Sequence, residues 1–79
     1  MVSKLIFYTT EGCHLCEHAA AMLEDLQSRA VLEVEVVDIS TDAALVECYG
    51  IRIPVIKNAS SDEELGWPFS QQQIVELLG

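Results

Sequence analysis

The aromatic and β-branched run Leu5-Ile6-Phe7-Tyr8-Thr9-Thr10 ends at Glu11-Gly12 and gives way at once to a pattern of helical period. A short apolar run closed by a turn signal reads as a largely buried strand. Beyond it, Leu15, Ala19, Met22, Leu23 and Leu26 fall on one face of an amphipathic helix, with Glu17, Glu24 and Asp25 mostly elsewhere. That helix begins at the motif Cys13-His14-Leu15-Cys16 and fades near Arg29. Right-handed crossover geometry then places the next strand beside the first and parallel to it.

The remaining chain continues the alternation. Val31 to Ile39 starts with alternating polarity and becomes continuously apolar, as in a strand that begins exposed and finishes buried. Ser40 or Thr41 is expected to cap a short helix over Asp42 to Cys48, which Gly50 stops. A strand signal covers Ile51 to Asn58 with Pro54 inside it, Ala59 to Asp62 makes a turn, and Glu63 to Trp67 returns as a hairpin partner ended by Pro68. Ser70 is the expected cap of a last helix in which Ile74, Leu77 and Leu78 face inward. The order is βαβαββα: an α/β three-layer sandwich with helices on both faces of a four-stranded mixed sheet, residues 1–79 forming a single domain.

A chain of 79 residues buries only about 60% of the surface its unfolded form exposes, so its core is thin. Its three cysteines allow at most one intramolecular disulfide. A Cys13–Cys16 bridge would close so small a loop that it constrains little of the unfolded chain. The balance of 13 acidic residues against four basic ones, Lys4, Arg29, Arg52 and Lys57, gives a net charge of −9. Such a surface repels phosphate backbones, which excludes nucleic acid as the expected partner. No run approaches the roughly 18 apolar residues that cross a membrane, and the opening residues do not resemble a secretion signal. The expected setting is the cytoplasm, away from membranes, and the expected state is a monomer.

The Cys-X-X-Cys pair carries the chemistry. Beside Cys13, unpaired helix N–H groups and the positive end of the helix dipole favour a thiolate. Such sites bring a cysteine pKa from about 8.5 down to roughly 3.5–7.5. Cys16, one turn later on the same side, is placed to attack a mixed disulfide formed on Cys13 and release the partner. Protonated His14 would stabilise the thiolate further, while Glu11 and Glu17 oppose ionisation. His14 and His18 also read simply as solvent-exposed helix residues. The alternative is a metal or iron-sulfur binding module in which His14, His18 or Cys48 completes a site with the two cysteines. Against it, no second Cys-X-X-Cys occurs, and the one His-X-X-X-His spacing, His14 to His18, overlaps the cysteine pair instead of supplying a separate ligand pair.

A proline inside a strand removes a ladder hydrogen bond and needs a reason. The segment Tyr49-Gly-Ile-Arg-Ile-Pro-Val-Ile56, after a βαβα pattern with Cys-X-X-Cys at the first helix, resembles the thioredoxin-fold superfamily. With the opening Leu5-Ile-Phe-Tyr-Thr-Thr-Glu-Gly-Cys-His-Leu-Cys16 and the closing Gly66-Trp-Pro-Phe69, essentially the whole chain is similar to short glutaredoxin-like proteins. The resemblance implies a thiol-disulfide oxidoreductase with Cys13 as nucleophile, Cys16 as resolving thiol and no tightly bound cofactor. It also implies a cis Ile53–Pro54 bond, which leaves the Ile53 backbone free to align an extended substrate. The implied partner is a thiol- or disulfide-bearing protein, or a small thiol.

Where relatives that use glutathione carry a basic residue and a Gly-Gly before an acidic helix start, this chain has Glu11, Gly66-Trp67 and Ser70. Those departures argue against glutathione, although the Ser70 helix start offers N–H donors to a carboxylate. Arg52 is the candidate anchor for a substrate carboxylate. Cys48 reads as a small core-facing helix residue, and Trp67 and Phe69 read as packing.

Overall fold

A computed structural model describes residues 3–78. In chain order the elements are β1 (Ser3–Thr9), α1 (His14–Arg29), β2 (Leu32–Asp38), a short 3-10 turn (Ile39–Thr41), α2 (Ala43–Tyr49), β3 (Val55–Asn58), β4 (Glu64–Gly66) and α3 (Gln71–Leu78). The strands form one mixed sheet in the order β2-β1-β3-β4. β1 and β2 are parallel, in register from Ser3 opposite Leu32 to Thr9 opposite Asp38. β3 runs antiparallel to β1, and β4 folds back on β3 as a hairpin.

Alternation along central β1 sends its side chains into two cores. Leu5 and Phe7 join Ile56 against Ala19, Leu23 and Leu26 of α1 and Ile74 and Leu77 of α3. On the other face Tyr8 and Val55 pack against Ile39 and Tyr49, with Ile6, Val37 and Leu45 at the margin. Each fully buried aliphatic or aromatic side chain contributes about 1.5–3 kcal/mol, and with a core this thin no single layer carries the fold.

The inner face of α1 is Cys16, Ala19, Leu23 and Leu26. Leu15, expected on that face, is 46% exposed, because it lies about 100° round the helix from Cys16. α1 stops where Ala30 becomes extended and its N–H closes on the Leu26 carbonyl.

α2 is capped by Asp42, whose carboxylate accepts the Ala44 N–H at 2.9 Å, and not by Ser40 or Thr41. Those residues are taken up by the 3-10 turn, whose own cap is the Asp38 carboxylate accepting the Ser40 N–H at 2.9 Å. Gly50 ends α2 with right-handed backbone angles, φ −51° and ψ −36°. Glycine is required there by proximity: a Cβ would sit 2.5 Å from the Val46 carbonyl oxygen. The Arg52 and Ile53 N–H groups both donate to the Tyr49 carbonyl, at 2.8 and 3.1 Å. That turn occupies the start of the expected strand over Ile51 to Asn58, which therefore begins only at Val55. Cys48 is exposed rather than core-facing. The seven-residue α2 turns Tyr49, with Leu45 behind it, toward the sheet, which leaves Cys48 about 100° away from that face.

Ser70 caps α3 reciprocally with Gln73: its hydroxyl accepts the Gln73 N–H at 3.2 Å, and its own N–H donates to the Gln73 amide oxygen at 2.8 Å. Phe69 is buried, and Trp67 packs on it edge to face with centroids 5.1 Å apart. Among the described residues no helix is long and apolar enough to cross a membrane.

Candidate active site at the cysteine pair

Gly12, at φ +77°, makes the turn that brings the chain from β1 to α1, a backbone shape an L side chain disfavours. Cys13 follows in extended conformation as the N-cap of α1. Its Sγ accepts the Cys16 N–H at 3.2 Å, and its carbonyl accepts the Glu17 N–H at 3.2 Å. Cys13 and Cys16 are joined by a disulfide, their Cα atoms 5.2 Å apart. The two cysteines differ in access: Cys13 is half-buried at the margin of the larger core, whereas Cys16 is 3% exposed within it. The His14 side chain is 92% exposed and 3.7 Å from the Glu17 carboxylate, so any charge it gains is partly offset.

Ile53 packs against the same core as Cys13, and Pro54 is fully buried. The peptide bonds before Pro54 and before Pro68 are cis. The Pro54 carbonyl accepts the Trp67 N–H at 3.2 Å, and the Ile53 N–H is taken by Tyr49. The Ile53 backbone is thus not wholly free, its N–H being paired within the turn.

Arg52 points into a cluster that nothing in the sequence announced. Its guanidinium is 3.4 Å from the Glu64 carboxylate and lies over the Tyr49 ring, 5.4 Å from the centroid. The Tyr49 hydroxyl donates to the same carboxylate, and the ring stacks on Tyr8 with centroids 4.3 Å apart. Donation to Glu64, aided by burial and the nearby carboxylate charge, pushes the Tyr49 phenol well above its ordinary range. Tyr49 and Arg52 meet within one turn, but Tyr8 and Glu64 reach them from distant strands, so no local pattern could have found the whole cluster.

On the other side of the disulfide a groove of about 530 Å³ runs between α1 and β2, with Phe7, Ala20, Leu23, Val34 and Val36 among its walls and both cysteines at its end. His14, Arg52, Ile53 and Pro54 are not among its lining residues. Among the described residues no group of three or more His, Cys, Asp or Glu side chains converges as a metal site would require.

Residues 4–79 match the family described as Glutaredoxin-like domain (DUF836). The chain belongs to that family. Among solved structures, this glutaredoxin-like protein is similar to Ne2328 from Nitrosomonas europaea, with 35% identity over 100% of this chain and 94% of that one, TM-score 0.84. It is likewise similar to the structural-genomics target XcR50 from X. campestris, at 35% identity, 94% and 93% coverage and TM-score 0.78. A mutant thioredoxin from Halobacterium salinarum shares the fold at 21% identity, covering 96% of this chain and 71% of that one, TM-score 0.74. No curated protein matches the sequence.

Proposed function

We propose that this glutaredoxin-like protein is a thiol-disulfide oxidoreductase in which Cys13 attacks and Cys16 resolves. The observation that carries the reading is the asymmetry of the pair: Cys13 caps α1 at the margin of the core with its sulfur accepting the Cys16 N–H, and Cys16 lies buried beneath it. In the reduced protein the same N–H and helix dipole would act on a Cys13 thiolate, which accepts hydrogen bonds far better than a disulfide sulfur.

The thiolate attacks one sulfur of a partner disulfide, forming a Cys13–partner bond and expelling the other partner sulfur as a thiolate that takes up a proton. Cys16 then gives up its proton and attacks the Cys13 sulfur, so the mixed bond breaks, the Cys13–Cys16 bond forms and the second partner thiol leaves. The protein loses two electrons and the one proton that Cys16 held, and the partner gains two electrons and two protons, the other proton coming from solvent. A dithiol or thiol reductant returns the protein to its starting state. The Ile53 carbonyl beside Pro54 is the backbone acceptor offered to the partner residue that carries the reacting sulfur.

Cys16→Ser tests the assignment. In a Cys48→Ser background, which removes the exposed third thiol, and incubated with a neutral low-molecular-weight disulfide, it is expected to accumulate one mixed disulfide on Cys13, visible as a mass adduct, whereas Cys13→Ser accumulates none. Absence of an adduct on Cys13 would overturn the proposal. In thiol redox buffers the wild-type pair is expected to titrate as a two-electron couple within the span of related sites, about −270 to −120 mV.

A further inference from the structure

The groove between α1 and β2 has no role in the exchange chemistry, yet it opens beside Cys13. Val34 and Val36 lie on the face of β2 that borders it, and Val36 is 63% exposed, on a strand face that would normally be closed by a core. β2 is also an edge strand of the sheet, paired among the described residues only with β1, so its other edge presents unpaired backbone donors and acceptors. Because Thr9 lies opposite Asp38, that edge ends on the side of the molecule where the chain turns into Cys13. The polar part of the lining includes Glu11, Glu17 and Glu24, and among the described residues no lysine or arginine lines the groove.

We infer that this groove docks the partner polypeptide during exchange: an extended segment lies along the β2 edge, drops an aliphatic side chain between Val36 and α1, and flanks it with lysine or arginine facing Glu11, Glu17 and Glu24. The inference rests on the exchange reading, in which Cys13 is the atom to which the partner's sulfur must come. Charge selects this occupant over the others. A second copy of the chain carries a net charge of −9 and meets repulsion, as does any anionic small thiol. Edge pairing supplies affinity without sequence preference, while the apolar anchor and its basic flanks supply the preference.

The test separates docking from sulfur exchange by using fluorescent peptides with serine in place of cysteine and an aliphatic residue beside it, flanked either by lysines or by glutamates. Three exposed carboxylates, each contributing modestly, set an expected preference of roughly tenfold for the lysine peptide at low salt. That preference should collapse near 1 M salt, where the screening length is about 3 Å. Glu24→Lys is expected to erase most of the preference, and Val36→Ser to weaken both peptides together. Equal affinity for the two peptides would overturn the inference, and so would unchanged binding in both variants. Sedimentation showing a dimer that Val36→Ser dissociates would also overturn it, by assigning the groove to a second copy. No sulfur reacts in these measurements, so failure of the exchange reading would show in the Cys16→Ser trap and not here.

Discussion

Replacing Tyr49 by phenylalanine removes one hydroxyl and keeps the ring that stacks on Tyr8. The lost contact is the phenol's hydrogen bond to the Glu64 carboxylate. A bond to a charged group contributes about 1.5–3 kcal/mol when well shielded. The Glu64 side chain is 26% exposed and keeps Arg52 as a partner, so water and the guanidinium recover part of that, leaving an expected loss of about 1–2 kcal/mol. For a domain of this size the melting temperature should fall by about 4–8 °C for each kcal/mol.

The pH dependence identifies the cause. The phenol is held above its ordinary value of 10.0, first by its bond to Glu64. Its contribution is therefore fully present below pH 10 and is lost as pH rises from there toward the folded-state value. Thermal melts of both proteins from neutral to strongly alkaline pH should show a gap that is constant up to about pH 10 and closes above it, since other groups titrate alike in the two chains. A gap that stays constant through the alkaline range would refute the linkage of Tyr49 protonation to folding.

Ile74→Ala, at a position with 0% exposure, is expected to lower stability by about 2–5 kcal/mol in urea denaturation. Asp25 is held below its usual 3.8 by the Gln71 amide, against some desolvation, and then by Arg29. Its contribution should be present above the ordinary carboxylate range and vanish as pH falls through it, so acid titrations of wild type and Asp25→Asn should converge at low pH. Exchange activity is expected to be unchanged after EDTA treatment and dialysis, as measured by turnover of a neutral disulfide; loss restored by added metal would favour the binding-module alternative.

The element order was legible because each strand and helix carries its own period and its own stop. Ser70 could be read as a cap because it sits just ahead of a periodic run and Gln73 follows at the reciprocal position. Ser40 and Thr41 carried the same local signal and lost to Asp38 and Asp42, because two aspartates at either end of a 3-10 turn satisfy more of the free N–H groups than one hydroxyl would. The sequence pattern placed Leu15 and Cys48 inward by assuming that an amphipathic face is as wide at a helix end as at its middle. The first turn of α1 and the short α2 each bury a narrower stripe. Cys13 and Cys16 were found from spacing alone. The Tyr8–Tyr49–Arg52–Glu64 cluster and the α1–β2 groove depend on which strands become neighbours, and no window of the sequence holds that information.

Arg52 shows why charge bears on the choice of partner. All four cations of the chain stand in ion pairs: Lys4 with Glu35, Arg29 with Asp25, Arg52 with Glu64 and Lys57 with Asp62. Exposed pairs of this kind add little stability, about 0–1 kcal/mol each, so an incoming carboxylate would compete with a resident one at each cation. Four of the 13 carboxylates are matched in this way, and the 13 − 4 = 9 left over are the net charge of −9. An anionic thiol brought to Arg52 would compete with Glu64 for the guanidinium that lies over Tyr49 and would meet the charge of that carboxylate. A basic or neutral polypeptide meets no such cost. Under the proposed exchange and docking, the electrostatics at Arg52 and those at the groove rim would therefore favour the same class of partner, from opposite sides of the disulfide and through different residues.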